Sequence, residues 1–281
     1  MTSYTSLVLD GGGIRAISYI GVFKYLQEKQ LLHNIKNFAG TSSGSQAAAL
    51  LSIGYSIREL EHILLTTEFE DFMDSDDNCC HNICSFLYYY GYYKGNKLRD
   101  YLEKLIKIKL KKKNATFLDL WKFNNHHLKV TGTCLETKKL LIFDYINTPN
   151  MIVSKALHIS SCIPFFFKPV KHEGLTYVDG GCLRNFPINI FNEKEGKTIG
   201  IELISDNDNK LNEIIDFKSF AFSVVDTIHS AANNIEINKQ KHYVITINTG
   251  EISAIDFKIN MEKKRQLITN SYQTIKNNFI I

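Results

Sequence analysis

The stretch Phe38-Ala39-Gly40-Thr41-Ser42-Ser43-Gly44-Ser45-Gln46 decides the fold of this 281-residue chain, because it joins an apolar strand to a helix through Gly-x-Ser-x-Gly. This sequence is typical of a sharp turn that holds a serine hydroxyl above a sheet. Glycine is needed at Gly40 and Gly44, since a Cβ there would collide with neighbouring backbone. The small side chains of residues 46–51 predict a helix whose positive end points at Ser42. The pentapeptide alone also occurs by chance, so its meaning depends on the rest of the chain.

A second glycine cluster lies upstream. Leu7-Val8-Leu9-Asp10 predicts a short buried strand, and Gly11-Gly12-Gly13 follows it directly. Residues 14–21 continue in a helical pattern. Three glycines between a strand and a helix leave backbone N–H groups free and allow a ligand to approach closely. The pattern favours a negatively charged ligand, either a phosphate or the oxyanion of an acyl-transfer intermediate.

A third segment, Tyr177-Val178-Asp179-Gly180-Gly181, places a carboxylate at the end of a predicted strand. The two glycines permit a turn that leaves Asp179 accessible. By itself, an Asp-Gly pair is more typical of a surface turn in which the aspartate bonds its own backbone. The segment gains meaning only beside the other two.

In combination, the three segments resemble the patatin-like phospholipases, a family of serine acyl hydrolases. The segments that carry the resemblance are residues 10–15, 40–44 and 179–181, in the order and spacing of the family. A small-residue and Pro-aromatic segment at residues 160–169 and an Asn-x-Pro segment within residues 183–188 also agree. The resemblance covers about residues 5–205. Ala16 departs from it, because many relatives carry a further glycine there; the change tightens the loop but keeps its N–H donors.

The resemblance implies an α/β fold with three α/β/α layers and a mostly parallel central sheet, a patatin-like variant of the α/β-hydrolase architecture. Alternation of strand and helix patterns at the start of the chain favours the same kind of sheet. We expect one catalytic domain over residues 1–281, with the motifs in about 5–205 and with helices and one strand in 206–281. Predicted strands lie at residues 7–10, 35–39, 127–134, 139–145, 175–178, 198–204 and 242–248. Predicted helices lie at residues 14–29, 57–67, 97–111, 151–161, 217–238 and 261–278.

The resemblance also implies a phospholipase A-type acyl hydrolase that cleaves fatty-acyl esters of phospholipids or lysophospholipids. Ser42 is then the nucleophile that forms an acyl-enzyme, and Asp179 is the general base, with no histidine between them. A solvated aspartate is a poor base towards a hydroxyl, so a closed apolar site must raise its pKa. The oxyanion hole is expected to consist of the N–H groups of Gly11, Gly12 and Gly13, together with that of Ser43.

Arg15 has two interpretations, since it could support the glycine loop or a lipid phosphate, or could be a salt-bridged structural residue. The scheme requires no metal and no other cofactor. The acidic residues 74–78 lack the later glycine and glutamate of a helix–loop–helix calcium site, so we expect a solvated turn. The cysteines match no zinc pattern and are expected to be reduced thiols. They are Cys79, Cys80, Cys84, Cys134, Cys162 and Cys182.

Composition limits the class of protein. A hydrophobic content of 44% and a charged content of 22% are those of a globular protein. The net charge of +4 is too small to indicate nucleic acid but is compatible with anionic lipid surfaces. The first residues show no secretory signal, and no apolar run approaches the roughly 18 residues of a spanning helix. We therefore expect a cytoplasmic protein that meets its acyl-lipid substrate transiently at a membrane surface; an activating protein partner stays open.

Two surface segments have alternative interpretations. Lysines alternate with apolar residues between residues 104 and 113, which fits an amphipathic stretch for lipid headgroups or, preferably, an ordinary helix with a solvated face. The tyrosine-rich residues 88–93 could meet a lipid interface or line an acyl-chain groove, although such a run is more often partly core.

Parts of the sequence also fit three other functions. A conventional triad needs a histidine after the acid, and only His229 or His242 would serve. His229 lies in a helical pattern and His242 begins a strand, so structural roles are expected.

Residues 11–16 fit a Gly-x-Gly-x-x-Ala dinucleotide loop, but the second strand ends in the serine turn instead of at an acidic residue. A non-catalytic or partner-activated lipid-binding module would use the same scaffold, although the intact Ser42 and Asp179 argue against lost activity.

Overall fold

The structure is a computed structural model that describes residues 4–74, 88–192, 195–206, 214–215, 217–233 and 242–278. Its strands are β1 (Tyr4–Leu9), β2 (Asn37–Gly40), β3 (Gly91–Tyr93), β4 (His127–Cys134), β5 (Lys139–Phe143), β6 (Phe165–Phe167), β7 (Val170–His172), β8 (Leu175–Asp179), β9 (Lys197–Ile204) and β10 (His242–Asn248). Its α-helices are α1 (Tyr19–Glu28), α2 (Ser43–Ser52), α3 (Ile57–Thr66), α4 (Asn96–Leu110), α5 (Phe117–Asn124), α6 (Val153–Ser160), α7 (Gly181–Arg184), α8 (Phe217–Asn233) and α9 (Met261–Asn278). Short 3₁₀ turns span Gly13–Ser18 and Phe69–Phe72.

The main sheet has the strand order β10-β9-β1-β2-β4-β8-β7, and β5 also pairs with β4. The strands from β10 to β4 are parallel, while β8 runs antiparallel to β4 and β7 antiparallel to β8. A mostly parallel sheet is therefore confirmed. Because it is parallel, its central strands are covered on both faces and consist of continuous apolar runs.

The two faces of β1 show how the layers form. Leu7 and Leu9 pack into one core with the residues of α1, α2 and α4, while Val8 packs on the opposite face with Phe186 and Phe191. Side chains of a strand alternate between faces, so the run supplies both cores at once. The three-layer α/β arrangement predicted from the sequence is confirmed.

The C-terminal helix α9 packs directly on α1. Gly21 permits this approach, because a Cβ at that position would overlap the backbone carbonyl oxygen of Ile268. Lys264 of the same helix is buried, and its Nζ donates to the carbonyl oxygen of Thr67 at 2.6 Å while lying 4.8 Å from the centre of the Phe69 ring. Lys264 thus satisfies a carbonyl just after α3, where a helix leaves acceptors unpaired.

The sequence patterns missed several short elements. They are β3, β6, β7 and α5, and the helix expected from Ile14 begins as the 3₁₀ turn Gly13–Ser18. Strands of three residues carry almost no alternation of polar and apolar side chains, so their existence depends on tertiary contacts. In the part of the chain that the structure describes, no helix is long and apolar enough to cross a membrane.

Residues 104–110 of the lysine-rich segment lie in the second half of α4, and most of the apolar side chains of this helix face the core. Leu102 and Ile106 are buried, whereas Lys104 and Lys107 are exposed, as expected for an ordinary helix with a solvated face. Of the tyrosine run, Tyr93 packs on Phe166 at 4.9 Å between ring centres. The other tyrosines of the run are exposed, namely Tyr88, Tyr89, Tyr90 and Tyr92.

Asp74 corrects the expectation of a solvated turn at the start of the acidic segment. Its Oδ1 accepts a hydrogen bond from the backbone N–H of Gly95 at 2.6 Å, and its Oδ2 accepts one from the backbone N–H of Lys97 at 3.1 Å. A carboxylate binds there because the first N–H groups of α4 have no partner within the helix. Residues 75–78 of that segment, and Cys79, Cys80 and Cys84, lie outside the described residues.

Candidate active site

Ser42 lies between β2 and α2 with φ 52° and ψ −129°. A positive φ is strained for a residue with a side chain, and such strain persists only where the surroundings enforce it. The two flanking glycines provide the space. A Cβ on Gly40 would lie 2.5 Å from the carbonyl carbon of Gly44, and a Cβ on Gly44 would overlap the carbonyl oxygen of Asp10.

Buried hydroxyl groups hold this turn. The N–H of Ser42 donates to Oγ of Ser160 at 2.9 Å, and Oγ of Ser45 donates to the carbonyl oxygen of Ser42 at 2.6 Å. Thr41 shares a 2.7 Å hydrogen bond with Thr131 of β4. The backbone of the strained residue is therefore satisfied on both sides, which fixes the direction of its side chain.

Asp179 is the last residue of β8 and is 1% exposed. Its Oδ1 accepts a 2.7 Å hydrogen bond from the N–H of Gly181, while Oδ2 has no hydrogen-bond partner of ordinary geometry among the described residues. Burial raises the pKa of this carboxyl to about 7, opposed by the hydrogen bond from Gly181 and by one with the Ser42 side chain. The carboxyl therefore changes protonation state near neutral pH, which suits a general base.

Strand β4 brings the two side chains to the same place. Gly40, the last residue of β2, pairs with Val130 on one edge of β4, and Asp179 pairs with Gly132 on the other. Ser42 follows Gly40 by two residues, as Gly132 follows Val130. The serine and the aspartate therefore flank the same end of β4, with a single strand between them, although 136 residues separate them in sequence.

The N–H groups of the expected oxyanion hole have different partners. The N–H of Gly11 donates to the carbonyl oxygen of Asn185 at 3.2 Å, so the expectation for this residue is corrected: its donor is already used. The N–H of Gly12 donates to Oγ of Ser43 at 3.1 Å. Within the described ranges, the N–H groups of Gly13 and Ser43 have no partner.

Asn185 joins the glycine loop to the segment after Asp179, and the sequence reasoning did not select it. Its Nδ2 donates to Oδ1 of Asp10 at 2.8 Å and to the carbonyl oxygen of Gly11 at 2.9 Å. Burial raises the pKa of Asp10 to about 8, opposed by a hydrogen bond from the N–H of Leu203 and by the charge of Arg15. The Asn-x-Pro segment was the available signal, because an asparagine amide beside a proline turn often bonds backbone.

Arg15 and His229 lie near each other at the edge of the site. Nε of Arg15 donates to the carbonyl oxygen of Gly12 at 3.4 Å. Nε2 of His229 and Oδ1 of Asp179 lie 2.9 and 3.1 Å from the position that a Cβ on Gly181 would occupy. His229 Nε2 is buried without a hydrogen-bond partner among the described residues, and burial, with the charge of Arg15, lowers its pKa to about 4. The sequence reasoning assigned His229 a structural role; the structure brings it beside the carboxylate.

An apolar cavity of about 80 Å³ adjoins the serine turn. It reaches from Gly13 and Ser43 to Phe72 and Leu105, between the helices α1, α2, α3 and α4. Ala47 of α2 lies along its wall. A cavity of this lining favours an alkyl chain over a polar ligand.

The structure also places the cysteines and the strand that bears on dinucleotide binding. Cys134 and Cys162 are buried and Cys182 is partly exposed, and all three are free thiols. In the described part of the chain, no group of three His, Cys, Asp or Glu side chains is arranged to hold a metal ion. A dinucleotide-binding loop would need an acidic residue at the end of the second strand. That strand, β2, ends at Gly40 instead.

Residues 7–192 match the patatin-like phospholipase family. Protein R571 of Acanthamoeba polyphaga mimivirus is 30% identical over 290 residues, which cover 98% of this chain and 93% of that protein. A probable lipid hydrolase, 463L of Invertebrate iridescent virus 6, is 32% identical over 192 residues, 66% of this chain and 63% of its own length. The triacylglycerol lipase ptl3 of Schizosaccharomyces pombe is 30% identical over 59% of this chain and 34% of its own.

Solved structures show the same fold. VipD from Legionella pneumophila superimposes with a TM-score of 0.71 at 17% identity, over 98% of this chain and 66% of that one. The type III effector ExoU gives a TM-score of 0.56 at 16% identity, over 98% of this chain and 52% of that one. This chain thus spans about two thirds of VipD and about half of ExoU.

Together, the sheet, the strained serine turn and the glycine loop define a serine hydrolase-like α/β protein. The chain belongs to the patatin-like phospholipase family. Membership of this family supports lipid hydrolysis as the general activity.

Proposed function

We propose that this protein is a phospholipase A-type enzyme that cleaves a fatty-acyl ester of a phospholipid or lysophospholipid, with Ser42 as nucleophile and Asp179 as general base. One observation carries the proposal: the strained Ser42 and the buried Asp179 flank the same end of β4. A nucleophile and a base of suitable pKa then act without an intervening histidine.

In the first half-reaction, Oγ of Ser42 attacks the ester carbonyl and its proton passes to Asp179. Oδ2 receives the proton, since Oδ1 already accepts the hydrogen bond from Gly181. The tetrahedral oxyanion is stabilised by the N–H groups of Gly13 and Ser43. Gly12 supplies a third donor once the Ser43 hydroxyl turns away, because only that hydroxyl occupies its N–H.

Collapse of the intermediate breaks the ester bond, and Asp179 returns the proton to the leaving alcohol. The acyl group is now bonded to Ser42, and its chain extends into the apolar cavity next to Ser43. Water then attacks the acyl-enzyme with Asp179 as base again, which releases the fatty acid and regenerates the serine. Arg15 supports the loop through the carbonyl oxygen of Gly12.

We assign this activity to residues 1–281 as one catalytic domain that acts transiently at a membrane surface. The packing of α9 on α1 supports a single domain, because the C-terminal helix contributes to the main core.

Product analysis on defined phospholipids tests the function. Wild type should release fatty acid, and the position of the remaining chain shows which ester is cleaved. Ser42→Ala and Asp179→Asn should release none, while Ser154→Ala, a buried serine outside the site, should stay active. Lipid binding by the folded wild type without any Ser42-dependent release would favour the non-catalytic lipid-binding module.

A further inference from the structure

A second cavity lies on the other side of α6 from the serine turn. It is open, has a volume of about 560 Å³, and is bounded by α4, α6 and the start of β7. Ser160 faces the serine turn, whereas His158 lines this cavity. Residues two apart in an α-helix point about 200° apart, so one helix separates two different sites.

The walls of this cavity are strongly basic. Six basic and two acidic side chains line the cavity, which gives the lining a formal charge of +4. The formal net charge of the whole chain is also +4. The basic residues are Lys94, Arg99, Lys113, Lys155, Lys168 and Lys171, and the acidic ones are Asp100 and Glu103. Such a concentration of one sign in a concave surface attracts a ligand with several negative charges.

Neither acidic side chain of the cavity pairs with Lys113, Lys155 or Lys171. Asp100 accepts hydrogen bonds from its neighbour Arg99, and Glu103 accepts from the N–H of Asn114 at 2.6 Å and from Oγ of Ser154 at 2.7 Å. In the described ranges, Lys155 contacts Nδ1 of His172 at 3.0 Å and pairs with no carboxylate. Lys113 and Lys171 likewise have no carboxylate partner there.

His158 adds an unsatisfied donor or acceptor at the base of the cavity. The side chain is 6% exposed, and its Nε2 is buried with no hydrogen-bond partner of ordinary geometry among the described residues. Burial, together with the charge of Arg99, lowers its pKa to about 4, opposed by the charges of Asp74 and Asp100 and by a hydrogen bond with the Lys94 backbone, so the ring is neutral at neutral pH. A buried polar atom without a partner is costly, and a ligand oxygen at this position would satisfy the Nε2–H tautomer.

Exposed tyrosines lie next to the cavity. Tyr88, Tyr89 and Tyr90 are 79%, 57% and 66% exposed, and Nζ of the cavity residue Lys168 lies 4.4 Å from the centre of the Tyr89 ring. Tyrosine is enriched at membrane–water interfaces, where its ring meets the headgroup region and its hydroxyl stays hydrated. This patch favours a ligand that belongs to a membrane over a soluble one.

We propose that this cavity binds the multiply phosphorylated headgroup of an anionic phospholipid and so holds the protein on a membrane surface. The size of the cavity and its several cations fit a headgroup with more than one phosphate. The bound lipid is not the substrate, and the proposal holds whether or not Ser42 is catalytic.

Vesicle sedimentation with Ser42→Ala protein, which consumes no lipid, tests the proposal. Two sets of phosphatidylcholine vesicles would be compared. The first set contains an inositol phospholipid with two ring phosphates, and the second contains enough phosphatidylserine to give the same surface charge. Lys155→Gln with Lys171→Gln should reduce binding to the first vesicles about 25-fold, at about fivefold per lysine. The matched control, Lys104→Gln with Lys107→Gln on the exposed face of α4, should reduce it by less than about twofold, because surface attraction falls off over a Debye length. Equal binding to the two vesicles, or equal losses in the two variants, would overturn the proposal.

A second variant tests the buried histidine. His158→Phe keeps an aromatic ring but removes Nε2, so binding to the inositol-lipid vesicles should weaken severalfold while the variant stays folded. If that variant unfolds, His158→Gln, which retains a donor, replaces it and should keep binding within about twofold. Inositol hexakisphosphate should compete with the vesicles. Tight binding of that soluble compound together with no vesicle binding would instead assign the cavity to a free polyphosphate and overturn the membrane role.

Discussion

The backbone N–H of Ser42 donates a 2.9 Å hydrogen bond to Oγ of Ser160, so the last residue of α6 supports the strained serine turn. Ser160 is fully buried, and Ser42 is 6% exposed. Without Ser160, the N–H would be a buried donor with no partner, which is expensive in a turn that already has a positive φ.

Ser160→Ala should therefore impair both stability and activity. We expect the free energy of unfolding to fall by about 1–3 kcal/mol, the cost of leaving a buried donor unpaired. Hydrolysis of an activated ester should slow about tenfold in kcat/KM, because the hydroxyl of Ser42 loses its fixed direction. Ser160→Thr, which retains an acceptor, should recover most of the activity. Ser154→Ala on the same helix should lower stability alone; full activity of Ser160→Ala would refute this role.

Asp179 should give the enzyme an acidic limb in its pH profile, in which activity falls at low pH. Burial raises the pKa of the carboxyl to about 7, and a general base works only when deprotonated. We expect kcat/KM to rise with pH and to level off above about 7, measured with a neutral ester. A profile that is flat between pH 5 and pH 9 would contradict the assignment.

The same shift has a consequence for stability. The folded-state pKa lies above the ordinary value of 3.8, so the folded protein retains a proton that the unfolded chain loses. The associated stability is complete below about pH 4 and is lost as pH rises to about 7. Asp179→Asn should therefore gain stability relative to wild type across this range. Denaturant unfolding at several pH values measures the difference.

His229 distinguishes a dyad from a triad. Its Nε2 lies beside Asp179 but has no hydrogen-bond partner among the described residues. His229→Ala should keep most of the esterase activity, since in the proposed mechanism Asp179 takes the serine proton directly. The matched variant His242→Ala should behave alike. A loss as large as that of Ser42→Ala would instead assign His229 the role of a triad histidine.

Ala47 offers a test of the acyl-chain cavity. Its side chain lines the cavity next to Ser43, so Ala47→Phe should fill the space that we assign to the acyl chain. Activity on long-chain esters should fall more than tenfold, because several methylene groups of the acyl chain can no longer be buried in the cavity, at about 0.8 kcal/mol each. Activity on an acetyl ester serves as the internal control and should change little. Equal losses on both esters would indicate a distorted serine turn.

Much of the fold followed from three short motifs and from the apolar runs. The strands predicted at residues 127–134 and 139–145 matched β4 and, to within two residues, β5, because alternation over five or more residues is a strong signal. The antiparallel direction of β8 had no signal in the sequence. Strand direction depends on which partner a strand finds, and the chain between β5 and β8 contains two short strands that no pattern predicted.

At the site, residue types were predictable but their hydrogen bonds were not. Gly11 illustrates this, because its N–H is bonded to a carbonyl of Asn185, 174 residues away in sequence. His229 illustrates the reverse case, since a helical pattern says nothing about which buried atom a side chain approaches. Sequence spacing determines local turns, whereas the partners across the site come from the packing of distant segments.

The position of β9 sets a limit on how this protein can be shortened. The family match ends at residue 192, yet β9 lies between β1 and β10 in the sheet. A fragment that stops at the end of the match would leave β1 as an edge strand, with the backbone groups that pair with β9 exposed in an apolar strand. Unpaired apolar edges recruit other chains, so such a fragment should aggregate although it retains every catalytic motif.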